Sequence, residues 1–416
     1  MKRMPCRVCQ SERLEMFLDL GDQPHCDSLL RPEDLPRREP YYPLQVCFCH
    51  DCTTVQINYT VPKETMFGEY LYVSGTTETL RRHFQESTDR LVARLGLQPG
   101  DLVVDIGSND GTWLACYQKY GLRTLGVDGA KNLAAMANAR GIETWARFFN
   151  ADVARDIIAA KGRAKLVTAA GVFFHLEELH SVTQGIAELI RDDGVFCVQA
   201  ISLMAMLQFN QFDQVYHEHL TYWTVHSLDR LFEQYGLEIF HAGKLPIHGG
   251  SMELLVAPRG KRPVDPSVDA MRAEEDRMGC GRIETYYAFA RRVREIEREL
   301  MAILRDYARR GKTVHAFGAP AKGATLLNSF HITTNLVQCA VEVNPLKIGK
   351  FIPGCRLPIL DETKTPPPDA YLLLAWNFLK EFLPKKREFI MAGGEFIVPI
   401  PKPVIINRDN YAQFVS

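Results

Sequence analysis

The fold is decided by residues 102–130, LVVDIGSNDGTWLACYQKYGLRTLGVDGA. Two short apolar runs, at 102–106 and 123–127, enclose a stretch near 112–120 that reads as a helix. Strands that alternate with helices predict a parallel sheet covered by helices on both faces. Glycines in the turn after the first strand let a ligand approach the backbone, and the helix that follows offers free N–H groups. We therefore predict a ligand-binding α/β domain built around this turn.

That turn, Asp105–Gly111, carries the candidate cofactor site. Its spacing does not match the dinucleotide fingerprint GxGxxG. Asp128 closes the next strand, where a carboxylate can accept both hydroxyls of an adenosine ribose. These features favour S-adenosylmethionine as the ligand, and a structural turn with a capping aspartate is the alternative. The predicted cofactor-binding residues are Asp105, Gly107, Asn109, Asp110, Gly111 and Asp128.

The alternation of strands and helices continues to about residue 260. Further strands are predicted at 164–169, 195–200, 237–246 and 251–258, and further helices near 130–140, 151–160 and 177–191. The last two strands predict a hairpin at the end of a doubly wound sheet, which fits a methyltransferase better than a dehydrogenase. The remaining segments are a polar linker at 259–267, a charged helical stretch at about 270–311 and a second alternation of strands and helices.

The cysteines predict a structural zinc site. Six of the eleven lie in the first 52 residues, and a reducing compartment would favour metal over disulfides for such a cluster. Two CxxC knuckles supply four thiolates, which a closed tetrahedral site needs. Buried free thiols are the alternative, and the nearby Cys47 and His50 leave the register open. The predicted ligands are Cys6, Cys9, Cys49 and Cys52.

The composition excludes several classes of protein. The chain of 416 residues is 46% hydrophobic and 24% charged, with a net charge of -1, as in ordinary globular proteins. A dedicated nucleic-acid binder would carry a basic excess. There is no run of about eighteen apolar residues that could span a membrane, and the start, MKRMPCRVCQ, lacks the apolar core of a signal peptide. We expect a cytoplasmic protein that binds neither nucleic acid nor membrane.

Two further segments carry chemistry. Tyr216-His-Glu-His219 can move protons, because no third ligand or HExxH spacing supports a metal, and a polar surface turn is the alternative. On a strand, His217 and His219 would share one face. His175 follows a predicted strand and should lie at the sheet edge where α/β folds bind ligands. The loop 317–323, FGAPAKG, fails the phosphate-loop pattern, yet Lys322 could meet a diphosphate; a structural turn is equally open.

Taken in order, these segments resemble the three-domain sugar C-methyltransferases that build branched deoxysugars, typified by the C-3′-methyltransferases of antibiotic-sugar pathways. The similarity spans nearly the whole chain. It is carried by the zinc knuckles, EYLYVSG, VVDIGSNDGTWL, LGVDGAKNLA, QFDQVYHEHLTYWT, HGGS, FGAPAKGATLLN, KIGKFIPGCRLPI and LLLAWNF. The resemblance implies a zinc-binding module at 1–66, a class I methyltransferase domain with a doubly wound sheet at 67–260, and a Rossmann-like α/β nucleotide-sugar-binding domain at 261–416.

The resemblance also implies roles for individual residues. His219 is expected to be the general base. The residues expected to line the reacting sugar are Tyr216, Glu218, His175 and one of Tyr70 and Tyr72. The residues expected to hold the rest of the substrate, a nucleotide-linked sugar that is typically a thymidine diphosphate sugar, are Lys322, Asn328 and His248.

The expected reaction is S-adenosylmethionine-dependent C-methylation of a nucleotide-diphosphate-linked 4-keto deoxysugar at C3 through an enolate. An O- or N-methyltransferase of a small metabolite, an RNA-binding methyltransferase fold and a non-catalytic sugar-nucleotide-binding subunit are the alternatives. The sequence departs from the family pattern at Gly171, where Asn is expected, and at Gln199, where Glu is expected. It also departs after HGGS, where an apolar residue and Arg are expected and Met252 and Glu253 stand, so that Glu253 replaces the Arg.

Overall fold

The structure, a computed structural model, describes residues 4–68, 70 and 72–415; Glu69 and Leu71 of the EYLYVSG motif lie outside this range. The strands are β1 (Leu14–Gln23), β2 (Tyr42–Cys49), β3 (Val55–Ile57), β4 (Leu102–Ile106), β5 (Arg123–Val127), β6 (Thr144–Trp145), β7 (Ala164–Ala170), β8 (Ile190–Ile201), β9 (Thr221–Tyr222), β10 (Leu237–Leu245), β11 (Ser251–Pro258), β12 (Val314–Phe317), β13 (Ala340–Glu342), β14 (Ile359–Asp361), β15 (Ala370–Leu373), β16 (Glu395–Val398) and β17 (Val404–Ile406). The helices are α1 (Lys63–Phe67), α2 (Glu78–Leu95), α3 (Thr112–Gln118), α4 (Lys131–Ala139), α5 (Ala151–Lys161), α6 (Leu179–Leu189), α7 (Leu203–Gln208), α8 (Val225–Phe232), α9 (Pro266–Met278), α10 (Ile283–Arg309), α11 (Ala321–Ser329), α12 (Leu379–Lys385), α13 (Arg387–Met391) and α14 (Ala412–Val415).

The central sheet has seven strands in the order β10-β11-β8-β7-β4-β5-β6. The five strands from β8 to β6 in this order are parallel, and β11 pairs antiparallel with both β8 and β10. This confirms the predicted α/β sheet with its terminal hairpin. Val104, Leu125 and Val167 are fully buried in it, and each such side chain contributes roughly 1.5–3 kcal/mol by leaving water.

The N-terminal sheet is antiparallel, in the order β1-β2-β3-β9. Its last strand comes from residues 221–222, directly after the YHEH turn, and pairs Val55 with Tyr222. The module is therefore completed by residues far along the chain. The division at residues 66 and 260 stays a proposal.

The C-terminal sheet has the order β14-β13-β12-β15-β16-β17, parallel except for β17. The helical stretch predicted at 270–311 is two helices, because Gly279 takes a left-handed conformation (φ 78°) that ends α9. Tyr286 on α10 packs its ring 5.0 Å from Phe17 and 5.1 Å from Phe48 of the N-terminal module. This long helix thus ties the first and last parts of the chain together.

Within the described part of the chain, no helix is both long enough and apolar enough to cross a membrane. The cytoplasmic location stays a prediction.

Candidate active site

The loops after β4 and β7 touch at the carboxyl edge of the central sheet. Gly107 has a φ of 67°, and a Cβ there would lie 2.7 Å from Cγ2 of Val172. Only glycine allows both the left-handed backbone and this approach. The contact brings the candidate cofactor turn, residues 105–111, next to the loop that ends in His175.

Asp128 is fixed at the end of β5 by two backbone donors. Its Oδ2 accepts the N–H of Asn109 and its Oδ1 accepts the N–H of Ala130, each at 2.8 Å. Burial raises the pKa of Asp128, and the two N–H groups oppose the rise. Each oxygen keeps a further lone pair, so the carboxylate fits the two hydroxyls of a ribose.

The side chains of Asn109 and Asp110 are engaged within the protein. Asn109 accepts the N–H of Ser74 at 2.9 Å and donates to the carbonyl of Tyr72 at 3.0 Å. Asp110 forms a 2.7 Å ion pair with Arg140. These two residues shape the candidate cofactor turn, and Asn109 fastens the segment before α2 to it.

Asp105 and Gly111 frame the same turn. Burial raises the pKa of Asp105 to about 7, against a hydrogen bond from Thr168. Gly111 precedes α3 with a φ of 76°. A buried carboxyl group, a left-handed glycine and a helix N-terminus together suit a cationic ligand with a polar tail, as S-adenosylmethionine is.

The YHEH segment is a turn and not a strand, so the predicted alternation of faces is wrong. The N–H of His219 donates to the carbonyl of Tyr216 at 2.9 Å, and their rings are 3.9 Å apart. His217 points the other way, with Nε2 3.2 Å from the carbonyl oxygen of Pro43. The turn therefore separates the two histidines onto opposite sides.

His219 lies directly beside His175, with their ring centres 5.1 Å apart. A hydrogen bond of 2.8 Å from the N–H of Leu220 to the carbonyl of Phe174 joins the two loops. The YHEH turn thus lies at the same sheet edge as the Gly107 loop.

The charge state of His219 follows from its surroundings. Its Nδ1 lies 2.7 Å from the carbonyl oxygen of Gln214, so Nδ1 carries the proton and Nε2 keeps its lone pair. Burial and the neighbouring His175 lower the pKa of His219 well below its usual value, and burial lowers that of His175 to about 3. Both imidazoles are neutral at pH 7.

The structure places Tyr70 and Tyr72 differently. The Tyr70 hydroxyl donates to Oε2 of Glu218 at 2.9 Å, and burial raises its pKa well above 10. Tyr72 is 44% exposed and contacts the cofactor turn through its backbone carbonyl. Tyr70 is therefore the one that joins the YHEH cluster.

The C-terminal domain contributes a buried lysine. Lys322 Nζ lies 3.8 Å from the centre of the Trp376 ring and donates to Asn377 at 2.5 Å. Trp376 in turn donates to Oδ2 of Asp213 at 2.6 Å. Burial lowers the pKa of Lys322 to about 8, although Asp213 opposes the change.

His248 connects the two halves of the site. Burial, His83 and Lys322 lower its pKa to about 4, and His248 in turn contributes to the low pKa of His219. Gln214 joins His248 to the proposed base, because its amide donates to the carbonyl of His248 at 3.1 Å and its own carbonyl accepts the Nδ1 proton of His219.

Asn328 lies at the opposite end of α11 from Lys322, roughly 9 Å along the helix axis. Its amide donates to the carbonyl oxygen of Pro353 at 3.0 Å, and a Cβ on Gly354 would collide with it. The Asn328 side chain therefore stabilises the turn at Pro353 and Gly354, which is a structural contact.

The four predicted zinc ligands form one cluster. Their sulfur atoms lie within 4.8 Å of one another, with Cys6–Cys52 at 3.4 Å and Cys9–Cys49 at 3.6 Å. A tetrahedral ion with bonds of about 2.3 Å places its sulfurs roughly 3.8 Å apart, so the thiolates fit zinc. His50 lies on Glu15 instead, 2.7 Å from its Oε2.

Two of the departures from the family pattern belong to one buried network. Gln199 and Glu253 are register neighbours on β8 and β11, joined by a 2.8 Å hydrogen bond. Arg90 of α2 donates to both oxygens of Glu253 at 3.0 Å, and His83 contacts Gln199 at 2.8 Å. The two positions are therefore coupled, and they fasten α2 to the sheet. The third departure, Gly171, has a φ of 68°, a backbone that suits glycine.

Sequence analysis missed His25, Asp213 and Trp376. His25 lies 3.1 Å from Glu218, although 193 positions separate them. Asp213 and Trp376 stand in the segments QFDQVYHEHLTYWT and LLLAWNF, whereas His25 lies outside the quoted segments. The sequence alone does not show that these residues meet, because the contacts form only in the folded chain.

Three family models match the chain: "Putative zinc binding domain" at residues 6–67, "Methyltransferase domain" at 79–242 and "C-methyltransferase C-terminal domain" at 246–401. C-methyltransferase NovU of Streptomyces niveus is 36% identical over 408 residues, which are 97% of this chain and 97% of that protein. Sphingolipid C9-methyltransferase A of Emericella nidulans is 30% identical over 154 residues, which are 33% of this chain and 29% of that protein. Among solved structures, magnesium protoporphyrin IX methyltransferase from Synechocystis PCC 6803 with bound S-adenosylmethionine has a TM-score of 0.33 and 16% identity, covering 47% of this chain and 88% of that chain.

The sheet order, the glycine turn and the four-cysteine cluster define a class I methyltransferase with a zinc module. Its cofactors are S-adenosylmethionine, which follows from the family to which the chain belongs, and a structural zinc ion. The match to NovU over nearly the full length shows that the chain belongs to the S-adenosylmethionine-dependent C-methyltransferase family.

Replacing Asp128 with Ala tests the cofactor site. We expect the Kd values of S-adenosylmethionine and S-adenosylhomocysteine to rise roughly 10–100-fold, because hydrogen bonds to a charged group contribute about 1.5–3 kcal/mol. Calorimetric titration measures both. Asp156→Ala, which removes an exposed carboxylate paired with Arg147, is the control and should leave both values unchanged. Equal affinities for the Asp128 variant and the parent protein would contradict the assignment.

Proposed function

We propose that this enzyme transfers a methyl group to C3 of a nucleotide-diphosphate-linked 4-keto deoxysugar. The observation that carries the proposal is the neutral, buried His219, whose free Nε2 lies at the cofactor edge of the sheet. A reaction on carbon needs such a base, since a carbon beside a ketone becomes nucleophilic only after it loses a proton. The family relationship to a C-methyltransferase supports the same chemistry.

The side chains support a stepwise reaction. S-adenosylmethionine, when bound, supplies an electrophilic methyl group. His219 Nε2 takes the C3 proton, and the electrons of the broken C–H bond form an enolate. Burial raises the pKa of Tyr216 well above 10, which keeps its hydroxyl protonated and able to donate to the oxyanion. The donor would be held by Asp128 and the turn at residues 105–111; it would supply the methyl group as its carbon–sulfur bond breaks, the electron pair staying on the sulfur of S-adenosylhomocysteine. The chain's own part would be to hold the enolate carbon and this methyl group in line and close together.

The substrate's nucleotide end is assigned to the C-terminal domain. Lys322 is 9% exposed, and its cationic ammonium group suits a phosphate oxygen of the substrate. His248 extends the same path toward the sugar. We propose a thymidine diphosphate sugar as the substrate, in line with the resemblance of this domain to nucleotide-sugar-binding domains.

Replacing Lys322 with Met keeps the packing on Trp376 and removes the charge. We expect KM for the nucleotide sugar to rise roughly 10–100-fold with a smaller change in kcat, because a charge-assisted contact to phosphate is lost. Steady-state kinetics at saturating methyl donor measure this. Lys347→Met, which removes a lysine bonded to the carbonyl of Ala319, is the matched control. A fall in kcat with constant KM would contradict a role in substrate binding.

The function itself is tested by incubating the protein with S-adenosylmethionine and thymidine diphosphate 4-keto-6-deoxysugars. We expect a product heavier by one methyl group, with the new carbon–carbon bond at C3 seen by NMR. The corresponding 4-hydroxy sugars should not react, because they cannot form the enolate. Methylation of an oxygen or nitrogen, or reaction of the 4-hydroxy sugars, would overturn the proposal.

A further inference from the structure

A buried hydrogen-bonded chain joins the N-terminal module to the YHEH turn. Ser28 Oγ lies 2.9 Å from His25 Nδ1, and His25 Nε2 lies 3.1 Å from Oε1 of Glu218. On the other side, the Tyr70 hydroxyl donates to Oε2 of Glu218. His25 is 5% exposed and Glu218 1% exposed. Oε1 of this buried carboxyl group also accepts the Cys26 thiol at 3.9 Å, so both oxygens are engaged.

The direction of these hydrogen bonds depends on the charge of Glu218. An ionised carboxylate only accepts, whereas a neutral carboxyl group also has a proton to donate. If His25 donates from Nε2 and Tyr70 donates its hydroxyl proton, Glu218 accepts at both oxygens. The Tyr70 oxygen then keeps only its lone pairs for any further partner.

Burial and one neighbouring carboxyl group disfavour the ionised form of Glu218. Burial and the neighbouring Asp27 raise the pKa of Glu218 to about 7, while His25 and Tyr70 oppose the rise. The titratable groups that face Glu218 are His25, Cys26, Asp27, Tyr70 and Tyr216. Among them, His25 combines direct contact with the ability to carry positive charge.

We propose that His25 is a positioning residue that keeps Glu218 ionised, so that Tyr70 presents an acceptor oxygen to a hydroxyl or amino group of the substrate. This inference rests on the proposed function, because it assigns the Tyr70 side of the pocket to the sugar. It also leaves Tyr216, and not Tyr70, as the tyrosine able to donate to the developing oxyanion.

A metal ion is the competing explanation for this cluster. His25, Cys26 and Glu218 present a nitrogen, a sulfur and an oxygen within 4.8 Å of one another. The hydrogen-bonded chain is favoured, because both nitrogens of His25 and both oxygens of Glu218 already have complementary partners. Bound metal would need a deprotonated Cys26, whereas here the thiol donates to Oε1 of Glu218 at 3.9 Å.

The test follows the protonation of Glu218 directly. Infrared difference spectra of the full-length protein report the protonated carboxyl band, which Glu218→Gln assigns. We expect His25→Leu to move the titration of this band to higher pH by about one to two units, because one hydrogen bond to the carboxylate is lost. His25→Gln keeps an N–H donor and should titrate near the parent protein. Asp27→Asn should shift the band to lower pH, and it keeps the test decisive if the leucine variant does not fold.

Activity provides a second measurement. In His25→Leu, the acidic limb of the profile of kcat/KM against pH should move to higher pH. In His25→Gln it should lie near that of the parent protein. A merely structural role would lower kcat/KM equally at every pH. An unchanged band in a folded His25→Leu would overturn the inference, and so would an unchanged band in Asp27→Asn if the leucine variant does not fold. So would two bound metal ions per chain, one of them lost in Cys26→Ala. The infrared measurement needs no substrate, so a wrong sugar assignment would leave its outcome intact.

Discussion

The variant His219→Asn should lose about 10²–10⁴-fold in turnover while binding S-adenosylmethionine as tightly as the parent protein. Asparagine can keep an N–H directed at the Gln214 carbonyl, where Nδ1 lies now. It has no basic lone pair at the position of Nε2. The variant therefore removes the proton acceptor and retains the local hydrogen bond.

Hydrogen exchange separates proton removal from methyl transfer. With S-adenosylhomocysteine in place of the donor, the parent protein should exchange the C3 hydrogen of the keto sugar for deuterium in D₂O, and His219→Asn should not. His217→Asn is the control, because His217 faces Pro43 on the other side of the turn. Normal exchange by His219→Asn would show that another group is the base.

Loss of the zinc ion should unfold the N-terminal module and abolish turnover. Structural zinc sites bind with apparent free energies of about 10–16 kcal/mol in zinc-finger peptides, which exceeds the stability of most small modules. The module supplies His25 to Glu218 and the Pro43 carbonyl to His217, so its loss exposes the active-site turn. Metal analysis and thermal denaturation of Cys49→Ser should show loss of about one zinc per chain and a lower Tm.

Matched variants test which ligands hold the zinc. His50→Ala and Cys47→Ser alter the neighbouring candidates that lie outside the four-sulfur cluster. Both should keep one zinc per chain. Retention of zinc by Cys49→Ser, or its loss in His50→Ala, would overturn the assigned set.

The fold was largely predictable because its signal is local. The bounds of β4 and β5 agree with the predicted strands, since parallel strands buried on both faces appear as short apolar runs. The prediction missed β9, which has two residues and exists only because it pairs with Val55 and Gln56. The break between α9 and α10 was also missed, although Gly279 and Gly281 stand in the sequence.

The candidate site was less predictable. Sequence analysis placed His175 at the ligand-binding edge of the sheet, since residues that follow parallel strands collect there. It expected His219 in the site only through the family resemblance. It could not choose between Tyr70 and Tyr72, because the choice depends on which hydroxyl reaches Glu218. The alternation assumed for YHEH was wrong because a turn, and not a strand, sets the directions of these side chains.

The sequence by itself determined the class of the central sheet, the four-cysteine cluster and the glycine turn, since each depends on residues close together in the chain or on repeated spacing. The tertiary structure decided how the YHEH turn is enclosed. Phe174 of the central domain, Pro43 of the zinc module and Thr325 of α11 all bond to residues 215–220. Burial by these three parts removes water from His219, and desolvation is what keeps its imidazole neutral.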